Sequence, residues 1–188
     1  MLQFKDLKTY PMNIELKILF IGNPILNIIS YSFIILLIFN LLRVNYLNPI
    51  VSTFVNLYTK ISNLFFIFSN QKLNIFIIAY ITKFISLLFI FGYHENILTI
   101  AVLAAVQILI VFIRLIFFAI IIGVILSWVS PSESNSFLEL IEEISYKSTA
   151  PARKYIPSAG GLDFSPLFML IFINVLVGFL INIILSIV

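Results

Sequence analysis

The chain has 188 residues, of which 62% are hydrophobic and 10% are charged, whereas soluble domains contain roughly 45–50% apolar and 25% charged residues. This composition excludes an ordinary soluble domain and predicts a chain that lies in a lipid bilayer. Because cysteine is absent, disulfides, thiolate catalysis and cysteine-ligated metals are excluded. The net charge of +3 is small and the basic residues flank apolar runs, so we expect no nucleic-acid partner.

Four apolar runs are long enough to cross a membrane, which takes about 20 mostly apolar residues. They cover residues 21–42, 73–92, 97–129 and 166–188. Residues 1–20 carry charges of both signs, and no small-residue cleavage site follows the first run, which favours a retained span over a signal peptide. The sequence therefore predicts an all-α integral membrane protein with four transmembrane helices.

The connection between the first two runs predicts a helix that lies in the membrane interface. Asn48 precedes Pro49, a pair typical of a helix N-cap and the first helical residue. At 100° per residue, the following side chains divide into a polar face and an apolar face. Such two-sided helices lie at the headgroup level rather than across the bilayer. The apolar face comprises Ile50, Phe54, Leu57, Tyr58 and Ile61.

The second connection repeats this arrangement. Ser136 and Glu139 have the spacing of a capping box, which predicts a second interfacial amphipathic helix beginning at Ser136. Because the order span, interfacial helix, span occurs twice at a spacing of about ninety residues, we interpret the chain as two repeated helical hairpins, residues 1–92 and 93–188. The apolar face of the second amphipathic helix comprises Phe137, Leu140, Ile141 and Ile144.

Prolines, glycines and basic residues concentrate between this second amphipathic segment and the last apolar run. Together with the end of the third run, this stretch contains four motifs: Leu126-Ser127-Trp128, Thr149-Ala150-Pro151, Arg153-Lys154-Tyr155-Ile156-Pro157 and the residues from Gly160 to Pro166. These motifs resemble those of the YggT family of small bacterial membrane proteins, and the resemblance covers about residues 125 to 170.

The resemblance also implies that the first repeat is degenerate. Asn48-Pro49 and Thr59 match the family pattern, but Ile61 stands where a proline is expected. Residues 62–68 stand where basic residues are expected, and they contain none. Whatever the family does through its basic turn, this chain is expected to do through the second repeat.

The basic turn is the main candidate site. Arg153 and Lys154 lie between Pro151 and Pro157, beside a predicted membrane surface. Juxtamembrane basic residues attract anionic lipid by about 1 kcal/mol each, which favours a lipid- or partner-docking site. A signal for membrane topology is the equally open alternative. The rest of the motif predicts a turn and a helix start: Gly160 and Gly161 form the turn, Ser165 caps the last helix, Pro166 is its first residue, and Asp163 lies near its positive end.

Lys83 and Arg114 are the basic residues inside predicted spans. A charge near the bilayer centre costs about 2.5–3.5 kcal/mol on insertion scales, so each needs a reason. One interpretation is structural, with each charge satisfied by amides such as Asn174 or Asn182; the other is a role in transport or anion binding. No acidic residue lies in any predicted span, which argues against a proton relay built on carboxylates.

Two classes of function remain open. The YggT resemblance implies a non-catalytic scaffold or assembly factor, because plastid relatives are associated with cytochrome b assembly and bacterial relatives with envelope or division processes. It also implies an alternative, a small transport or osmotic-stress protein that acts as an oligomer, with Lys83 and Arg114 along the path. No spacing typical of an enzyme active site or a metal site is present, and the single histidine excludes a haem held by two histidines, so we expect neither enzymatic activity nor a cofactor.

The distribution of basic residues predicts the topology. Both connections, residues 43–72 and 130–165, must lie on one side of the membrane, and six basic residues fall there against three on the other side. The rule that cytoplasmic loops are basic places the connections in the cytoplasm and both termini outside, in a bacterial inner membrane. Expected partners are membrane lipids, other membrane proteins or a second copy of the chain. The six are Arg43, Lys60, Lys72, Lys147, Arg153 and Lys154, and the three are Lys5, Lys8 and Lys17.

Overall fold

The structure is a computed structural model that describes residues 22–62, 70–92, 95–129, 135–156 and 163–187. These residues form α-helices and contain no β-strand, which confirms the predicted all-α class. In chain order the helices are α1 (Pro24–Leu42), α2 (Pro49–Ser62), α3 (Gln71–Phe91), α4 (Ile97–Val129), α5 (Ser136–Arg153) and α6 (Ser165–Ile187).

Four of these helices, α1, α3, α4 and α6, are long and apolar enough to cross a membrane. Helix α4 is the longest, with 33 residues, whereas a bilayer requires about 20. Its apolar sequence contains no proline that would interrupt the helix. Helices α2 and α5 are shorter and two-sided, as predicted for interfacial helices. The order span, amphipathic helix, span therefore occurs twice along the chain.

Contacts divide the chain into two compact units. The first comprises the described residues within 1–37, 67–112 and 177–188, and the second those within 38–66 and 113–176. Helices α1, α4 and α6 contribute residues to both units. These units are defined by packing and not by sequence repetition, so the division into repeats at residues 92 and 93 stays a prediction.

The first unit joins three spans through buried polar contacts as well as an apolar core. Ser30 of α1 donates a hydrogen bond to the carbonyl of Ala79 in α3 (2.9 Å), and the Tyr80 hydroxyl donates to the carbonyl of Ala101 in α4 (3.2 Å). Such interhelical hydrogen bonds stabilise helix packing where lipid offers no alternative partner. The surrounding core includes Ile34, Ile75, Leu87, Ile100, Leu103 and Val177, all of them almost fully buried.

In the second unit, α5 packs against α4 through small residues. A Cβ added to Gly123 would overlap the Cβ and Oγ of Ser145, so the two helices approach as closely as a glycine allows. The predicted apolar face of α5 is buried in the protein only in part: Phe137 is 53% exposed, whereas Leu140 and Ile144 are buried beside small polar residues. Buried on α5 are Leu140, Ile144, Ser145, Ser148 and Thr149.

Helix α2 begins as predicted. The side chain of Asn48 accepts a hydrogen bond from the backbone N–H of Ile50 (3.0 Å), and Pro49 is the first helical residue. Val51 and Tyr58 are buried, and the ring of Phe54 lies edge-on to Phe39 of α1 at 5.8 Å between centroids. The buried face thus centres on Val51 and Tyr58. Leu57, predicted on the apolar face, is exposed.

Both predicted caps in the second connection are wrong in detail. Asn135, not Ser136, caps α5, because its side chain accepts hydrogen bonds from the N–H groups of Phe137 and Leu138. At α6 the capping oxygen belongs to Asp163, which accepts from the N–H of Ser165 (2.9 Å). Asn and Asp reach these N–H groups from outside the helix, whereas Ser136 and Ser165 are already helical.

Candidate functional site

Pro151 lies within the last turn of α5. The sequence had predicted it in the turn that follows the helix. A proline there removes one backbone donor, and carbonyls at a helix end need other partners. The Thr149 hydroxyl donates to the carbonyls of Ser145 (2.9 Å) and Tyr146 (3.2 Å). Arg153 also donates to the Tyr146 carbonyl, from Nη1 at 3.1 Å. The side chains of Thr149 and Arg153 thus add hydrogen bonds to carbonyls in the C-terminal half of α5.

Arg153 is partly exposed, but its guanidinium is held by contacts within the protein. Its Nε donates a hydrogen bond to Asp163 Oδ2 at 2.7 Å, which forms an ion pair between the end of α5 and the residues that precede α6. Its guanidinium also lies over the ring of Tyr146, 4.2 Å from the centroid. A planar guanidinium can satisfy a carboxylate and an aromatic face together, which a lysine cannot reproduce.

Asp163 connects this ion pair to α6. Its Oδ2 accepts from Arg153, while its Oδ1 accepts from the N–H of Ser165. Partial burial acts to raise the pKa of Asp163, but the hydrogen bonds from Arg153 and Ser165 outweigh it and hold the pKa below its usual value. The carboxylate is thus charged at neutral pH.

Lys154 and Tyr155 form the outward part of the same region. Both follow α5 in a turn, Lys154 is exposed, and Tyr155 is 86% exposed. The two members of the predicted basic pair therefore lie in different environments. Of the other predicted site residues in this motif, Pro157, Gly160 and Gly161 lie outside the described residues, and Pro166 is the second residue of α6.

A second charged network links α5 to the turn between α1 and α2. Both carboxylate oxygens of Glu143 accept hydrogen bonds from the N–H of Asn45 (3.0 and 3.1 Å), and Lys147 pairs with Glu143 at 2.6 Å. Lys147 also donates to the carbonyl of Arg43, which has a positive φ of 51° at the end of α1. Nearby, the side chain of Asn48 donates to the carbonyl of Ser136 (2.7 Å). These contacts bring the two connections to the same end of the spans.

The charge of Lys83 is enclosed in the first unit. Its side chain is 1% exposed, and its Nζ donates a hydrogen bond to Asn27 Oδ1 at 2.8 Å. The same oxygen accepts from the Ser86 hydroxyl (3.0 Å), and the ring of Tyr31 lies 5.6 Å from Nζ. An amide oxygen and an aromatic face can both stabilise an ammonium group away from water.

Arg114 is bound by one of the two amides that the sequence suggested. Its Nη1 donates to Asn174 Oδ1 at 3.2 Å, and its guanidinium lies 5.2 Å from the centroid of the Phe117 ring. Lys83, in contrast, donates to Asn27 and not to Asn174 or Asn182. Asn23, Asn27 and Ser30 follow one another at helical spacing in the first span, and this pattern indicates that Asn27 faces other helices.

The burial of some polar side chains was not predicted from the sequence. Gln107 of α4 is 1% exposed, and neither polar atom of its side chain has a hydrogen-bond partner. The hydroxyl of Ser148 is also buried without a partner. Periodicity of apolar residues gives no signal for such positions. Within the ranges that the structure describes, no three histidine, aspartate or glutamate side chains come close enough to hold a metal ion.

These features define a polytopic α-helical membrane protein. At its interfacial end, which comprises α2, α5 and the turns next to them, ion pairs join Lys147 to Glu143 and Arg153 to Asp163. Residues 102–184 match the family model described as CCB3/YggT, which confirms the resemblance that the motifs predicted for this part of the chain. The chain is 41% identical over 71 residues to the Uncharacterized protein PA0392 of Pseudomonas aeruginosa. That match covers 38% of this chain and 36% of the relative, so the similarity extends over about a third of the relative's length. No solved structure is significantly similar.

Proposed function

We propose that the chain is a non-catalytic scaffold or assembly factor of the bacterial inner membrane, which docks a partner membrane protein at the turn after α5. The contrast between two cations supports this proposal. Lys83 is 1% exposed and bonded to Asn27, whereas Lys154 is exposed beside Tyr155. A cation enclosed within a span fits a structural role. An exposed tyrosine is typical of a contact surface, and the lysine beside it can select a partner of opposite charge.

The proposed orientation places this turn in the cytoplasm. The contacts of Asn48 with Ser136 and of Lys147 with Arg43 bring both connections to one end, which supports counting their basic residues together. The excess of basic residues in these connections then favours the cytoplasmic side, with both termini outside. Cysteines introduced at Glu142 and at Glu95 of this cysteine-free chain should react with membrane-impermeant reagents from opposite sides. Labelling of both from the outside of intact cells would contradict the orientation.

The proposed partner is a membrane protein that presents an acidic surface next to the bilayer. The docking residues are Lys154 and Tyr155, and they directly follow the end of α5, which contains Pro151 and Arg153. Anionic lipids are the competing occupant, and a second copy of the chain is a special case of a protein partner. Each of these gives a different product when a crosslinking group is placed in the turn.

A photo-crosslinking amino acid in place of Tyr155 tests this proposal in native membranes. We expect a discrete protein adduct, and we expect Lys154→Ala to reduce its yield because the attraction to the acidic surface is lost. Lys72→Ala is the matched control, because Lys72 is also an exposed lysine, in the first turn of α3. An adduct of the mass of two chains would identify a homo-oligomer. Lipid adducts alone, or equal loss with Lys72→Ala, would contradict docking of a partner protein.

A transport or osmotic-stress function is the second candidate, and the buried polar groups of the spans favour it. Gln107, Lys83 and Asn27 are all buried polar residues of the first unit. In this alternative the Lys83 charge acts on a solute, so Lys83→Met would leave an inserted protein that no longer supports growth under osmotic stress. A complementation assay in which Lys83→Met is inactive and Lys154→Ala behaves like the parent would favour transport over the scaffold.

A further inference from the structure

We infer that Arg153 is a positioning residue, which latches the end of α5 to the start of α6 through Asp163 and thereby fixes the direction in which Lys154 and Tyr155 point. The inferred consequence for docking rests on the proposed function. The latch itself does not, because it is a statement about the geometry of two helices. The basic pair is thus two residues with separate tasks, one internal and one external.

Three contacts within the protein hold the guanidinium of Arg153. The guanidinium donates in two directions, from Nε to Asp163 and from Nη1 to the carbonyl of Tyr146. Its flat face lies on the Tyr146 ring, 4.2 Å from the centroid. A guanidinium is rigid and planar, so these three contacts together determine its orientation. Arg153 is therefore committed to internal contacts, which a docking residue would have to break.

Asp163 connects Arg153 to the first residue of α6. One carboxylate oxygen binds the Arg153 side chain at the end of α5, and the other binds the N–H of Ser165 at the first residue of α6. A single side chain thereby connects the last turn of one helix to the first turn of the next. Because the aspartate caps α6, a movement of Arg153 would be transmitted to the direction of that helix.

Lys154 and Tyr155 directly follow Arg153 in the chain. Because the ion pair between Arg153 and Asp163 fixes the end of α5, it also constrains the direction in which these two residues leave the helix. The side chains of Arg153 and Asp163 remain 30% and 39% exposed, and pairs as exposed as this contribute little to global stability. The pair is better suited to setting direction than to holding the protein folded.

A distance measurement between α5 and α6 tests the latch. Spin labels on cysteines at Glu142 and Phe168, which are exposed positions of the two helices, would report the separation by double electron–electron resonance in lipid nanodiscs. We expect a narrow distribution in the parent. Arg153→Ala and Asp163→Ala should each widen it about twofold, because the charge-assisted hydrogen bonds that fix the two ends are gone.

Conservative variants separate the latch from general damage. Arg153→Lys retains the charge without the planar fork, so we expect an intermediate width. Asp163→Asn retains an oxygen that can cap α6 but loses the ion pair, so its width should exceed that of the parent and stay below that of Asp163→Ala. Lys154→Ala should leave the distribution unchanged. Far-ultraviolet circular dichroism must show unchanged helix content, and where Arg153→Ala fails to fold, Arg153→Lys and Asp163→Asn decide the question.

The outcomes are distinct. A distribution as narrow in Arg153→Ala and Asp163→Asn as in the parent would overturn the latch, as would equal widening by Lys154→Ala. If the latch is correct and docking is also correct, Arg153→Ala widens the distribution and lowers the yield of the Tyr155 crosslink, whereas Lys154→Ala lowers only the yield. If the latch is correct and docking is wrong, the distances respond as expected while neither variant changes the crosslinked products.

Discussion

The interior of the first unit and the interfacial end of the second unit stabilise lysine and arginine in different ways. In the first unit, Lys83 is buried in a span and binds the neutral oxygen of Asn27, beside an aromatic ring. In the second unit, Lys147 and Arg153 are partly exposed and bind the carboxylates of Glu143 and Asp163. A carboxylate near the bilayer centre would add its own cost of removal from water. In the ion pairs given by Lys147 and Arg153, both carboxylate partners therefore lie where water can reach them.

The burial of the cation determines what the loss of its partner does in each region. In the spans, a buried cation and its amide acceptor depend on each other, so removing the acceptor leaves the cation without that contact. At the interfacial end, water can replace a lost partner, so substitutions should change direction and docking more than they change stability. Substitutions of buried polar residues in the spans should therefore lower stability more than substitutions at the interfacial end do.

Asn27→Leu should be the most destabilising of the changes considered. It removes the oxygen that accepts hydrogen bonds from Lys83 and Ser86, and hydrogen bonds to charged groups contribute about 1.5–3 kcal/mol. We expect a loss of about 2–3 kcal/mol, because both donors remain buried after the change. Thermal unfolding in detergent, supported by the amount of protein in the membrane fraction, measures the effect.

Lys83→Met is the partner variant in this test. It removes the charge together with its cost of burial and keeps most of the aliphatic length, so we expect a smaller loss of stability than with Asn27→Leu. The double variant Asn27→Leu with Lys83→Met should be more stable than Asn27→Leu alone. If the effects of the two substitutions simply add, the two residues are not coupled, and the comparison between the units loses its basis in the first unit.

Gly123→Ala should come next, with a loss of about 1–2 kcal/mol from overpacking. The new methyl group would overlap the Cβ and Oγ of Ser145, and a Cβ cannot rotate away. Gly178→Ala in α6 is the matched control, because a Cβ at Gly178 meets no atom within 4 Å. The apparent melting temperatures of the two variants give the comparison. Equal melting temperatures would show that α5 is free to move away from α4.

The sequence predicted the helices well because length and apolar content decide a membrane span. The four spans, the two amphipathic connections and the N-cap at Asn48 all follow from local patterns, and the structure contains them. The buried face of α5 was harder to predict. Apolar periodicity counts Phe137 and ignores Ser145, whereas the structure buries Ser145 against Gly123, and only the tertiary contact explains that choice.

The partners of the charged residues could be predicted only in part. Amides such as Asn174 or Asn182 were expected to satisfy either charge; Asn174 binds Arg114, whereas the acceptor for Lys83 is Asn27 of the first span. Arg153 and Asp163 were both predicted as site residues, but their ion pair was not predicted, because a proline- and glycine-rich stretch separates them in the sequence. Contacts across a turn of unknown shape cannot be inferred from spacing alone, because the turn decides which side chains meet.

The smallest expected effect is the pH dependence of the latch. Hydrogen bonds from Arg153 and Ser165 keep the pKa of Asp163 below its usual value, which is about 3.9 in unfolded chains. A carboxylate with a depressed pKa contributes its stabilisation above the unfolded pKa, and the contribution is lost as the pH falls through the folded pKa. The distance between labels at Glu142 and Phe168 should therefore be constant from neutral pH to about pH 5 and widen only below about pH 4.

Asp163→Asn provides the control for that titration, because an asparagine does not ionise in this range. We expect its distance distribution to be wider than that of the parent at neutral pH and to change little on acidification. Other carboxylates near the interfacial end, such as Glu143 with its partner Lys147, titrate in both proteins, so the difference between the two curves isolates Asp163. Because the ion pair is partly exposed, the associated change in melting temperature should be close to the limit of detection. A parent distribution that widens already near pH 6 would mean that Asp163 is not held in its charged form by Arg153, and the contrast between carboxylate and amide partners would fail at the interfacial end.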